Sequence, residues 1–164
     1  MRPISATTTI DAPRERVFEL LTDMSIRPSF TDHFVSSFRL QRIEPVGVGA
    51  SARFRLGDAG QWMDSAISDL DPPYRVLERG RGGPSNRIVT RTAWELVDSP
   101  GEATELTVTF WTEPTHPIDR LHEPWSARSL RRGWRRAAER LKGLAETGET
   151  PEHVGVGGGS RIPY

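Results

Sequence analysis

Residues 125–146, WSARSLRRGWRRAAERLKGLAE, constrain the fold more than any other stretch. Wound at 3.6 residues per turn, Ala127, Leu130, Trp134, Ala137, Ala138, Leu141, Leu144 and Ala145 fall in one stripe about 120° wide. Arg128, Arg131, Arg132, Arg135, Glu139 and Lys142 fall on the other side. At 1.5 Å per residue such a helix is about 33 Å long, enough to cross a small domain. A single apolar stripe of that length needs a wide apolar surface to lie against. The rest of the chain must supply it.

The remaining sequence reads as strands. Residues 4–10 are β-branched and partly alternating. Pro13 then suits the first turn of a helix over about 13–22, where Val17, Leu20, Leu21 and Met24 recur at helical spacing with Phe18 at the edge. Residues 25–33 form a short second helix or turn, because Pro28 cannot continue the first. Strands follow at 35–43, 50–56, 62–70, 74–80, 86–97 and 103–113, joined by turns rich in Gly, Pro and Asp. Short turns between successive strands imply an antiparallel meander. A sheet of about seven strands with one long helix to cover it must curl around that helix. The fold class is therefore α+β, with 1–147 as one domain and the Gly-rich 148–164 as a flexible tail.

Composition removes several functions. The chain has 164 residues and no cysteine, so disulfides, thiolate metal sites and cysteine nucleophiles are excluded. Twenty-two basic residues balance 22 acidic ones, which argues against nucleic acid as a partner. The N-terminal MRPISATTTIDAP lacks an apolar signal core, and a soluble cytoplasmic protein is the expectation. Having one lysine, Lys142, among many arginines suits a GC-rich bacterial genome. The basic face of residues 125–146 reads as solvated, or at most as a peripheral contact with an anionic membrane.

In order and spacing, TTTIDAPRERVFELLTD (7–23), GVGASARFR (47–55), DLDPPYRVLER (69–79) and RSLRRGWRRAAERLKGLAE (128–146) resemble the START-like helix-grip superfamily (SRPBCC), in its polyketide cyclase/dehydrase branch. The resemblance covers about residues 4–147. It implies a deep cavity between the sheet and the C-terminal helix. It also implies a small hydrophobic ligand, lipid- or polyketide-like. It does not decide between carriers and aromatase/cyclases.

Candidate site residues come from the inward strand faces. Ile88, Thr90, Thr92, Trp94 and Leu96 form one such face, and Leu106, Val108, Phe110 and Thr112 another, while Trp111 and Glu113 point out. Phe54, Thr90, Thr92, Trp94, Phe110 and Trp134 are the expected ligand-binding set, although the aromatics could instead fill the interior. Gly133 leaves room for a ligand or for close sheet packing. Residues 62–70 allow either Met63/Ser65/Ile67 or Trp62/Asp64/Ala66 inward, and 74–80 allow either Val76/Glu78 or Leu77/Arg79. An inward Glu78 or Asp64 would be a candidate general base, with the outward, solvated position the default for each.

No metal and no cofactor is expected. His33, His116, His122 and His153 are scattered, and Pro117 breaks the spacing of His116, Asp119 and His122. Asp32-His33 reads as a surface pair near the cavity mouth. Gly80-Arg81-Gly82-Gly83 lacks the Lys-Ser/Thr ending of a phosphate loop and reads as a hairpin. Trp125 lies off the apolar stripe and is expected to pack on 114–124, beside a gate. Three functions follow: a non-catalytic carrier, a cyclase/dehydratase using a cavity carboxylate, and an interaction module using the basic helix face.

Overall fold

The computed structural model describes residues 2–57, 60–114 and 126–156, and the backbone of 161–162. Seven strands form one antiparallel sheet: β1 (Ile4–Ile10), β2 (Val35–Leu40), β3 (Ser51–Leu56), β4 (Gln61–Asp71), β5 (Arg75–Gly82), β6 (Ile88–Ser99) and β7 (Ala103–Glu113). Their spatial order is β1-β7-β6-β5-β4-β3-β2, so the first strand pairs with the last and β2 is an edge strand. After β1 come α1 (Arg14–Thr22), a 3-10 turn (Met24–Ile26) and the one-turn helix α2 (Pro28–Thr31). The long helix α3 runs Ala127–Thr147.

Helix α3 starts where Ser126 accepts the amide hydrogen of Ser129, and it ends at Gly148 in the left-handed conformation. Its buried side is Leu130, Gly133, Trp134, Ala137, Ala138, Leu141 and Ala145. That is the expected stripe, except that Ala127 is exposed and Leu144 half-buried. Small residues every turn let α3 lie close to β1. There Thr8 donates to Glu139 at 2.9 Å, and the Asp11 amide donates to Glu146 at 2.7 Å. The sheet's concave face supplies the other half of the core through Ile4, Ile10, Leu56, Met63, Ile67, Val76, Ile88, Trp94, Leu106, Val108 and Phe110. Burial at about 25 cal/mol per Å² makes this one continuous contact the main source of stability.

Two departures from regular pairing shape the open edge. The β2–β3 register shifts between Ser36 and Arg39, and Ser37 sits at φ 54. A bulge of this kind bends a strand and re-aims a side chain. Here it leaves Phe38 half-buried against the core. The 153–156 segment returns to the body. His153 reaches Ser25, and Val156 forms a parallel bridge with Leu40. His116, Asp119, His122 and Trp125 lie outside the described residues, and with them the expected contacts of 114–124.

Candidate functional site

Strand register decides which carboxylate faces the helix. On β4, Met63, Ser65 and Ile67 are buried; on β5, Val76 and Glu78 are. Asp64 therefore points to the outer face, where it accepts a hydrogen bond from Asn86 at 2.9 Å and lies 3.7 Å from Arg53. Its candidacy as an interior base ends there. Glu78 corrects the default in the opposite sense: it is inward and only 7% exposed.

Glu78 is inward because it has partners. Arg27, 5% exposed, places Nη2 at 2.7 Å from Glu78 Oε1. Trp94 donates its indole N–H to the same oxygen at 2.8 Å, and Ser65 donates to Oε2 at 3.1 Å. A buried carboxylate without such donors would be very costly. Arg27 is anchored in turn: Nη2 also donates to the Leu21 carbonyl at 3.0 Å, and Thr31 donates to the Arg27 carbonyl at 2.8 Å. The guanidinium carbon lies 5.0 Å from the Trp94 ring centroid and 5.3 Å from that of Phe30, within cation–π range.

Trp134, from the middle of α3, is the hub of the aromatic interior. Its ring packs on Phe110 at 5.7 Å, edge-on to Trp94 at 5.6 Å and edge-on to Phe34 at 5.0 Å. These rings pack in the space between helix and sheet. Among the described residues, a cavity of about 20 Å³ lies beside them. Its walls are Met24, Arg27 and Thr31 from the turn and α2, Val35, Phe38, Phe54, Met63 and Glu78 from the strands, and Trp134. That volume takes one water molecule. Of the expected ligand-binding set, Phe54 and Trp134 touch this cavity. Trp94 stands behind Glu78, Phe110 behind Trp134, and Thr90 and Thr92 are buried on the same face of β6.

Among the described residues, several buried polar atoms around this space have no partner. They are the indole Nε1 of Trp134, Nε and Nη1 of Arg27, and, farther along β6, Oγ1 of Thr90. Most buried donors in folded proteins are paired, so an orphan next to a cavity calls for explanation.

The cavity closes at the β2 edge with phenylalanine rings. Phe38 stacks on Phe54 with centroids 5.8 Å apart. Phe34 is held by the helix: a Cβ at Gly133 would come within 2.5 Å of the Phe34 ring. Gly133 therefore makes room for Phe34, neither for the sheet nor for a ligand. Beside it, His33 donates Nε2–H to the Gly133 carbonyl at 2.9 Å, while its Nδ1 faces Arg140 at 3.4 Å. Asp32 pairs with Arg140. Burial, opposed by the Gly133 bond and reinforced by Arg136 and Arg140, holds the His33 pKa below its usual range. The Asp32-His33 pair thus ties the loop after α2 to α3 and forms no dyad.

Two larger hollows lie on the outside. One of about 360 Å³ surrounds Asp64, Arg79 and Arg81 on the outer face, and one of about 230 Å³ lies between Ile43, Pro45 and the 153–156 segment. Of the three spaces, the small interior cavity is the one that adjoins buried, unpartnered donors among the described residues.

Residues 1–146 match the family described as polyketide cyclase/dehydrase and lipid transport. The chain belongs to that family. Among curated proteins none matches it. Among solved structures it is similar to DynU16 of the dynemicin biosynthetic locus, at 24% identity and a TM-score of 0.59, over 91% of this chain and 49% of that one. The chain thus spans about half the length of DynU16. It is similar also to TTHA0849 of Thermus thermophilus (19% identity, TM-score 0.64, 90% and 99% of the two chains). Major latex-like protein 151 of Panax ginseng is a third (15% identity, TM-score 0.64, 87% and 96%). At these identities the structures share the family's fold, and the site rests on this chain's own residues.

Sequence reasoning missed Met24, Arg27, Thr31, Val35 and Phe38 in the cavity wall. The available signal was the run MSIRPSF (24–30), in which Arg27 is the one charge, set directly between Ile26 and Pro28. A lone arginine in such a run has to find an acid.

Proposed function

We propose that this chain binds a small hydrophobic molecule between the concave face of its sheet and α3. One observation carries the reading: the interior cavity sits against edge strand β2 and is closed there by side chains, the half-buried Phe38 above all. Ligand pockets of small-molecule binders span about 300–1,000 Å³, so occupancy requires Phe38 and its neighbours to move aside. Strand β2 is suited to this, because it has a strand neighbour in the sheet on one side only and is already bulged. The family's description as cyclase/dehydrase and lipid transport supports the same class of ligand.

The cyclase/dehydratase reading has one observation in its favour, the inward Glu78 at the cavity wall. Against proton transfer stands its engagement by Arg27, Trp94 and Ser65. Three donors on one carboxylate suit a fixed anchor for Arg27 better than a base that must gain and lose a proton.

Thermal-shift titration with a panel of fatty acids, sterols and polycyclic aromatics tests the proposal. At least one class is expected to raise Tm in a concentration-dependent way. Phe38→Ala, which enlarges the mouth, is expected to bind the same class more tightly or faster. Failure of both proteins to respond to any class would overturn it.

A further inference from the structure

The unpartnered donors narrow the ligand class, given the binding reading above. Trp134 is 5% exposed and lines the cavity, yet its Nε1–H has no acceptor among the described residues. Indole N–H is donor only, so nothing but an acceptor can satisfy it. Arg27 lines the same cavity and leaves Nε and Nη1 without acceptors. The ring faces of Trp94 and Phe30 offset part of that deficit for Arg27, but the Trp134 N–H has no such relief.

Charge narrows the class further. Arg27 is the cationic group in the cavity wall, and Glu78, in the same wall, already neutralises it at 2.7 Å. A second anion buried here would face Glu78 and have no cation of its own. Everything else in the wall is apolar apart from the hydroxyl of Thr31, which is committed to the Arg27 carbonyl. The space left open, about 20 Å³, fits a single oxygen atom.

We infer that the site takes an uncharged, carbonyl-bearing apolar molecule. The ketone oxygen occupies the present cavity and accepts from Trp134 Nε1, with Arg27 as second donor. The carbon skeleton takes the volume that Phe38 now fills. Glu78 is then a positioning residue that holds Arg27 and sets the net charge of the pocket to zero.

The test uses three probes of one skeleton: benzophenone, diphenylmethane and diphenylacetate. Binding to the full chain is measured by ¹H–¹⁵N spectra that resolve the indole N–H groups. Benzophenone is expected to bind and to move the Trp134 indole proton downfield, while diphenylmethane binds without that shift. Trp134→Phe is expected to cut the ketone-to-hydrocarbon affinity ratio about tenfold, the worth of one buried hydrogen bond or slightly more. If Trp134→Phe does not fold, the downfield shift in the unmodified chain still decides the matter. Binding of diphenylmethane and benzophenone alike, with no indole shift, overturns this inference and leaves the binding reading standing. Tightest binding by diphenylacetate overturns the neutral-pocket argument. If none of the three binds, this inference is overturned, while the binding reading stands or falls on the wider thermal-shift panel.

Discussion

At the scale of single residues, the decisive feature is the buried Arg27–Glu78 pair. Removing one partner leaves the other charged and dry. Glu78→Ala is expected to cost about 3–5 kcal/mol in urea denaturation, the range for breaking buried pairs. Replacing both together, Arg27→Met with Glu78→Met, is expected to recover much of that loss. Recovery stays incomplete because Trp94 Nε1 and Ser65 Oγ would lose their acceptor. A double variant as unstable as Glu78→Ala alone would show that the pair is not the source. His33 makes a second residue-scale prediction. In its neutral form, Nε2 donates to Gly133 and Nδ1 faces Arg140 as an acceptor. Protonation would set a second N–H against that guanidinium. With its folded pKa lowered from 6.5, His33 binds a proton more readily in the unfolded chain. Stability should therefore fall as pH drops through about 6.5 and rise again above it. His33→Gln is expected to flatten part of that slope between about pH 7.5 and 5, read as the difference between two Tm profiles. Parallel profiles would remove the claim.

At the scale of elements, α3 carries two glycines that should respond in opposite senses. A Cβ added at Gly143 would meet open space, so Gly143→Ala should gain up to about 1 kcal/mol of helix propensity. Gly133→Ala meets the Phe34 ring at 2.5 Å, and the overpacking cost of about 1–3 kcal/mol outweighs that gain. Chemical denaturation of the two variants checks both signs. Elements are also where the sequence is most legible. The alternation Thr92/Trp94/Leu96 and Leu106/Val108/Phe110 assigns β6 and β7 their faces, because one side of each strand is consistently apolar. For β4 and β5 alternation cannot choose, because Ser65 and Glu78 are polar residues on the buried side. Glu78 belongs there because Arg27, distant in sequence, crosses to meet it, and Ser65 because it donates to Glu78. That contact is tertiary and leaves no periodic trace. The role of Gly133 is hidden for the same reason, since Phe34 approaches α3 from another part of the chain.

At the scale of the whole molecule, we propose that the sheet and α3 form the folding unit and that the segment after Gly148 is an addition to it. His153 Nδ1 lies 2.7 Å from Ser25 Oγ and 3.6 Å from Asp23, and Ser29 donates to the Glu152 carbonyl at 3.3 Å. These contacts brace the outside of the turn whose inner side, Met24 and Arg27, is cavity wall. A chain ending at Gly148 is expected to fold cooperatively, with faster amide exchange confined to residues 23–31. Loss of cooperative unfolding would make the tail part of the core unit. The central claim is that an apolar molecule occupies the space between sheet and helix. Intermolecular NOEs from bound diphenylmethane test it most directly. The account predicts cross-peaks to Phe38, Phe54, Met63 and Trp134. Cross-peaks confined to the outer face, at Trp62 or Ile43, would contradict it.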